Sequence, residues 1–524
     1  MKTKRGVFFV ICMRISIRSF VMLALALVVS QVSAAAYDVL PKGFQEEWES
    51  LLHYAHGKST IEAGSSFFLS SVGHVSPEAE LIATLKAFQK DDRLQCQYPA
   101  RHYLLTGQWP SATCEAFREY QTYVSSDRVY LVFASESETS PVSSMGHVFL
   151  VLEGPTPHAG VKRHAIGFVA DTSENASLLM GFLTDQLVGR YVLMPYRELI
   201  DDYVIKERRS VWAYELSMTA EERRRLFLHL FELKAHKIKY SFFQHNCATG
   251  LNRVLATAST DFRYPKDQYW VTPAEYAFFV NQTGRVQAAS VIPSHEDAYR
   301  LAHQLPLNPL ETPKTSRLGV RVGYDDQAGW GGAVTFLPFS TDIYEVNPSK
   351  TGLSEIKFGE VVLKTFDRRA WLDEVTLVNI RSIPSMAISS LKPNFGIQLH
   401  GDVDAHHTSL HPDVHVGTAF SWGETGIRPF ASVDVGVLGD HQVLGYALGE
   451  CGVFVSGSTF GLMSLSVGRA WSTGVDYRGF KENYRMSYSI PVDKDLFFDV
   501  KGAIYDKKRG HVRQCLTFGL NIRF

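Results

Sequence analysis

Two stretches of the chain carry residue types that do covalent chemistry. SSMGHVFLVL, from Ser143, sets His147 just before an apolar run that reads as a buried strand. YSFFQHNCATGLNRVL, from Tyr240, sets Cys247 where an amphipathic helix through Leu251, Val254 and Leu255 should begin. A thiol at a helix start feels the partial positive charge of amides that have no partner within the helix, which favours thiolate. An imidazole nearby lowers the thiol pKa further and can shuttle the proton. The same residues admit a plainer reading, with Cys247 a small core residue and His147 a hydrogen-bonded structural one. Around them, Asn246 either orients the nucleophile loop or caps the helix, and His245 reads as a supporting or surface residue. Ser143 and Ser144 either supply an oxyanion donor or turn the chain.

These residues need a sheet and a helix to hold them. Residues 37 to about 125 look mostly helical, with Trp48, Leu51, Leu52 and Ala55, then Ala79, Ile82, Ala83 and Leu85, at helical spacing. From Val129 the period changes. VYLVFA (Val129 to Ala134) and VFLVL (Val148 to Leu152) read as buried strands, with further strands over Ala165 to Val169 and Val211 to Leu216. Thr219 should cap the helix AEERRRLFLHLFEL, with Glu222 completing a capping box. Residues 291–315 carry four prolines and little periodicity, and read as a linker.

The first residues address the compartment. Lys2, Lys4, Arg5, Arg14 and Arg18, the apolar run Phe20 to Val29, and the small-residue exit Val32-Ser33-Ala34 make a secretory signal over residues 1–34. Five cysteines then remain in an oxidising compartment. Cys96 and Cys114, close in sequence, are expected to pair. Cys451 and Cys515 either pair or are two small buried residues, and Cys247 is the candidate free thiol. A net charge of −1 gives no reason to expect a nucleic-acid partner.

After Arg317 a two-residue alternation persists. Leu318, Val320, Val322 and Tyr324 share one face, as do Leu516, Phe518, Leu520, Ile522 and Phe524 in the final strand. Alternating segments of about ten residues joined by polar turns are the signature of a transmembrane barrel. With the signal and the terminal aromatic Phe524, this predicts an outer-membrane barrel of ten or twelve strands over residues 316–524; a soluble β-sandwich is the competing fold. His406, His407, His411 and His415 read as a solvated loop between strands rather than a metal site. No phosphate-cradling glycine loop or nucleotide fingerprint is present, so no metal and no cofactor are expected.

From about Val129 to Leu255 the chain resembles the family of bacterial extracytoplasmic domains named after the lipoprotein N-acyltransferase Lnb. The matching pieces are PVSSMGHVFLVL, HAIGFVADTSE, VGRYVLMPYRELIDDY, RSVWAYELSMTAEERRRLFLHLFEL and YSFFQHNCATGLNRVL, in that order. CQYPARHYLL, with Arg101, is similar to a companion region. The resemblance implies a Cys–His acyl-transfer site in which Cys247 is the nucleophile and His147 the base. Two departures stand out. Relatives often carry an acidic residue where this chain has His245, and asparagine where it has Gly167. If residues 148–169 form a hairpin, Gly167 lies near His147, where a residue orienting the imidazole would be expected. His164 could replace it or be a surface histidine. Asp171 reads as a turn cap that could instead hold the imidazole. Arg101 could bind an anionic headgroup or carboxylate, or make a structural salt bridge.

The expected architecture is therefore α+β. A helical region over 37–125 precedes a permuted papain-like (NlpC/P60-like) Cys–His domain over 126–290, the linker, and an antiparallel barrel. The expected substrate is an acyl ester, thioester or amide of the envelope, a lipid or lipoprotein in the first instance, with outer-membrane lipid around the barrel. A non-enzymatic binding, scaffolding or barrel-gating module is the alternative.

Overall fold

The computed structural model describes residues 37–524 apart from 64, 137–144, 158–159, 172–186, 235, 242–243, 266–270, 303–313, 327–328, 342, 344–352, 367–368, 387–390, 404–407, 424–425, 440–442, 458–460, 473–481 and 507–511. The signal segment, Ser143, Ser144, His406 and His407 lie outside the described residues.

The helical region comprises α1 (Lys42–Leu51), α2 (Pro77–Lys90), α3 (Pro99–Thr106) and α4 (Glu115–Tyr123). α1 stops before Ala55, which the helical spacing had included. His53, His56 and Gly57 take positive φ, and Tyr54–Ala55 pairs with Lys58–Ser59 as a small hairpin. Positive φ is not helical backbone, so the chain must turn there. Cys96 and Cys114 form a disulfide.

A seven-stranded sheet follows, built from β1 (Arg128–Ala134), β2 (His147–Thr156), β3 (Gly160–Ala170), β4 (Leu187–Pro195), β5 (Val211–Leu216), β6 (Ile238–Tyr240) and β7 (Val286–Ile292). Its spatial order is β6-β4-β3-β2-β1-β5-β7, antiparallel throughout. Between strands come α5 (Ala220–Leu233), α6 (Cys247–Ala258) and α7 (Pro273–Gln282). α5 starts on the expected capping box of Thr219 and Glu222. One core joins the helical region to this sheet: Trp48, Phe67, Leu81 and Phe117 are buried in the same cluster as Leu131, Leu150, Leu226 and Leu251. The expected linker is partly structured. Ile292 pairs with Val211, and residues His295–Ala302 form a helix whose buried Asp297 accepts a hydrogen bond from Ser210.

Twelve antiparallel strands then close a barrel: β8 (Arg317–Asp325), β9 (Gly329–Leu337), β10 (Leu353–Phe366), β11 (Arg369–Ile383), β12 (Lys392–Val403), β13 (Thr408–Ser421), β14 (Ile427–Gly439), β15 (Val443–Gly457), β16 (Gly461–Ser472), β17 (Glu482–Pro491), β18 (Leu496–Asp506) and β19 (Val512–Arg523). Closure is twofold, since β8 pairs with β19 and β9 with β10. The alternation read from the sequence maps onto the wall. Val320, Val322, Val416, Val433, Val435 and Leu520 are exposed outward, while Arg321, Arg381, Glu450 and Asp499 are partly or fully buried inside. Arg381 and Arg485 both bridge Glu450, at 2.6 Å and 3.0 Å, and Arg321 bridges Asp499 at 2.8 Å. An apolar outer belt, a polar lumen and no free sheet edge are what a bilayer requires of a strand-built span. Cys451 faces outward and Cys515 faces inward, so the two cannot pair, and both are free thiols. His411 and His415 lie within β13 rather than on a loop, and His415 faces Asp413 at 3.3 Å.

The mouth nearest the sheet domain carries a cluster of apolar side chains. Ile343, Leu353, Ile383, Ala419, Phe430, Phe454 and Leu462 form one buried cluster on the inner wall. On the outer wall at that end, Met145 is buried together with Phe339, Ile356, Phe358, Val378 and Ile380. The carboxylate of Glu275, on α7, accepts the Thr315 N–H just before β8. The sheet domain thus meets the barrel through Met145, two residues before His147, and through Glu275.

Candidate active site

The sulfur of Cys247 is placed by a helix start. Asn246 caps α6, its side-chain oxygen accepting the Thr249 N–H at 3.1 Å while its amide donates to the Val271 carbonyl at 2.8 Å. Leu251, Val254 and Leu255 bury the apolar stripe of the helix. Gly250 allows close approach to β3, since a Cβ there would stand 2.5 Å from the Phe168 ring. Tyr191 donates to the Gly250 carbonyl at 2.8 Å. Cys247, the first residue of α6, ends up 4% exposed.

His147 is placed by a fork in the sheet. The β2–β3 register runs from Thr156↔Gly160 to Leu150↔Ile166 and stops there, whereas β1 stays paired with β2 down to Ala134↔His147. At the fork the backbone N–H of Val148 turns to the Cys247 sulfur. Gly146, at φ 77°, feeds the chain in; a Cβ there would lie 2.8 Å from the Phe133 ring, so only glycine fits. The His147 ring stacks on Phe149 with centroids 5.9 Å apart and lies 6.2 Å from the ring of Tyr203. Tyr203 sits on a π-helical turn, Asp201–Lys206, a feature frequent at functional sites.

Burial decides the charge states. It pushes the Cys247 thiol up to about 11, against the opposing pull of the Val148, Ala248 and Cys247 amides and the Arg209 cation. It pushes the His147 imidazole down to about 3, with Arg209 acting in the same direction. Cys247 therefore rests as a neutral thiol and His147 as a neutral imidazole. This corrects the expectation of a thiolate drawn from the helix start alone: desolvation outweighs the amides. The Tyr203 and Tyr240 phenols, both within electrostatic reach of Cys247, are also pushed up by burial.

Other sequence candidates fall elsewhere. His164 is opposite Leu152 and shares a strand face with Ile166 and Phe168, so strand alternation turns it away from the Gly167 side, where His147 lies. Arg101 is fully buried, bridging Glu80 at 2.5 Å and Glu232 at 2.7 Å and donating to the Phe67 carbonyl, and so is not available to an anionic ligand. His245 accepts from Arg253 at 2.9 Å. Asp171 bridges Arg190 at 2.8 Å. Gly167 does lie beside the imidazole, with a Cβ there 3.5 Å from Nε2 of His147. Sequence reasoning missed Tyr203, Arg209 and Tyr240; Arg209 and Tyr240 open quoted motifs, but nothing in spacing singled out their side chains. Among the described residues no group of three His, Cys, Asp or Glu side chains is placed to hold a metal ion.

Residues 116–277 match the family model of the Lnb N-terminal periplasmic domain, and residues 44–108 match a domain of unknown function, DUF7843. Among solved structures, the NanC porin is similar at 11% identity and TM-score 0.28, over 40% of this chain and 100% of that one. The KdgM porin gives 9% and 0.27, over 40% and 99%. LpxR from Salmonella typhimurium gives 10% and 0.28, over 40% and 100%. No curated protein matches the chain. No described helix is long and apolar enough to cross a membrane, and the span is the barrel. A periplasmic domain leading into a closed, lipid-faced barrel makes this an outer-membrane protein with its sheet domain on the periplasmic side.

Proposed function

We propose that the periplasmic domain is a cysteine-dependent acyltransferase or hydrolase of permuted papain type, held at the outer membrane by its barrel. One observation carries the reading: Cys247 opens a buried helix, and its sulfur receives the backbone N–H of Val148, the residue after His147. In this reading His147, neutral at rest, takes the thiol proton as the sulfur attacks an acyl carbonyl, and later returns it to the leaving group. The amides that face the sulfur become donors to the oxyanion. Holding the thiolate alone near pH 7, some four units below a pKa of about 11, costs roughly 5 kcal/mol. Proton transfer to His147 coupled to attack avoids much of that cost, because neither charge has to persist. The substrate is an acyl ester, thioester or amide of the envelope. The family name points to lipoproteins, and the contact of Met145 with the outer barrel wall sets the site close to the bilayer.

The test is covalent. Wild-type protein in outer-membrane vesicles, given diacyl phospholipid and acceptor peptide, should yield an acyl adduct on Cys247 by mass spectrometry. Cys247→Ser, Cys247→Ala and His147→Ala should not. The rival, a binding module in which Cys247 only packs, is favoured by its burial and raised thiol pKa. It prevails if Cys247→Ala fully complements the envelope phenotype of a deletion strain.

A further inference from the structure

Arg209 is a cation built into the floor of this site. It is 2% exposed. Its Nε donates to the Ser135 carbonyl at 2.5 Å, and Nη2 donates to the Ala134 carbonyl at 3.1 Å. Ala134 is the cross-strand partner of His147, so the guanidinium caps β1 at the level of the imidazole. The same group lies 4.8 Å over the Tyr203 ring, which in turn faces His147. Its carboxylate partner, Glu207 at 2.8 Å, is one-third exposed and so partly screened by solvent. A buried full charge beside a thiol and an imidazole has more to do than finish a strand.

We propose that Arg209 is the electrostatic partner of Cys247, a fixed cation that stabilises negative charge as it forms on the sulfur. The role in acyl transfer rests on the function proposed above; the effect on the thiol does not. The cation lowers the thiol pKa and opposes a proton on the ring, so its help goes to charge on the sulfur and not to the basicity of His147. Among the described residues, the titratable and charged groups around Cys247 and His147 are Tyr203, Tyr240, Asp202, Glu207 and Arg209 itself. Both phenols stay neutral across the working range, because burial pushes them up. Among the described residues, Glu207 and Arg209 carry charge there, together with Asp202, whose charge reaches Tyr203. Low-dielectric surroundings make such a fixed charge worth more than it is in water.

The experiment is alkylation of Cys247 by iodoacetamide, followed from pH 6 to 11 by peptide mass spectrometry on full-length protein in detergent. Arg209→Gln should slow alkylation at a fixed pH about tenfold and move its rise to higher pH, while Arg209→Lys, which keeps the charge, should stay near wild type. A purely structural role predicts the reverse order: Lys, which cannot hold both carbonyls in the guanidinium's geometry, would melt lower, and alkylation would follow unfolding. If Arg209→Gln does not fold, Glu207→Gln replaces it. Removing that carboxylate leaves more net positive charge and should speed alkylation severalfold. A folded Arg209→Gln, or Glu207→Gln, with the wild-type profile overturns the proposal. A shifted profile with no acyl adduct in the wild type would leave the electrostatic assignment standing and remove the acyl-transfer reading.

Discussion

Gly167 lies beside the imidazole of His147, so that a Cβ built there stands 3.5 Å from Nε2, 3.6 Å from Val169 and 3.8 Å from Phe149. These are ordinary contact distances, and the backbone there is strand. A side chain can therefore be installed where the imidazole has a ring nitrogen to be held. Gly167→Asn should raise the rate of acyl-adduct formation severalfold by fixing the ring, while Gly167→Ala should leave it near wild type. Both should melt within a few degrees of the parent. An Asn variant that is folded and slower than Ala would show that the ring is already held correctly.

The neutral resting thiol of Cys247 has a kinetic signature. Only the thiolate is alkylated, and the thiol pKa of about 11 lies far above neutrality. Alkylation of Cys247 should therefore be slow at pH 7 and rise roughly tenfold per pH unit, levelling only near pH 11. Stopped-time labelling in the absence of substrate measures this. Rapid labelling with a plateau below pH 7 would mean a preformed thiolate.

Domain stability should fall in mild acid. His53, His147 and His229 are buried and their imidazole pKa values are lowered, His147 and His229 to about 3. A histidine that stays neutral when folded but takes a proton when unfolded stabilises the fold fully only above its unfolded pKa of about 6.5. That stability drains away as pH falls from there towards 3. Between pH 6.5 and 5, His147 and His229 should each withdraw about 2 kcal/mol. Denaturant titration at pH 7.5 and 5.0 checks the sign, and His229→Gln should flatten the difference. His53 Nε2 meets His229 Nε2 at 3.0 Å, so one of the two must supply the proton between them.

Arg101 should matter for folding rather than for binding. It is enclosed by Glu80, Glu232 and the rings of Phe67 and Tyr98. Removing one member of a buried ionic group leaves the other charges uncompensated, at a cost of roughly 3–5 kcal/mol. Arg101→Ala should lose stability on that scale in urea melts. Any folded fraction should keep the wild-type alkylation profile at Cys247. A stable Arg101→Ala protein with weakened binding of anionic lipid would contradict this placement.

The barrel should conduct poorly. Ile343, Leu353, Ile383, Phe430, Phe454 and Leu462 pack together at the periplasmic mouth, and Arg381, Glu450 and Arg485 tie side chains together within the lumen. Planar-bilayer recordings of wild-type protein should show no sustained open level. Phe430→Ala combined with Phe454→Ala should introduce one. Porin-like conductance in the wild type would disprove the packed mouth.

Patterns that are local in the chain were legible before any fold was known. The two-residue alternation of Leu318 to Tyr324 and of Leu516 to Phe524 requires only that successive strand residues face opposite sides, and it already carried the barrel. The capping box at Thr219 and the pairing of Cys96 with Cys114 likewise depend on residues close in sequence. The helix start at Cys247 and the strand start at His147 were visible for the same reason. Tertiary structure alone decided what surrounds those two residues. The fork that frees the Val148 amide arises where three strands diverge, and the burial that neutralises both partners comes from residues far along the chain. Arg101 read as either an anion binder or a structural salt bridge, and only Glu80 and Glu232, from two other helices, decided for the salt bridge. Nothing in spacing singled out the side chain of Arg209, because a cation acquires its meaning from the dielectric and the charges around it. Desolvation is a property of the whole packed neighbourhood, so no window of sequence contains it.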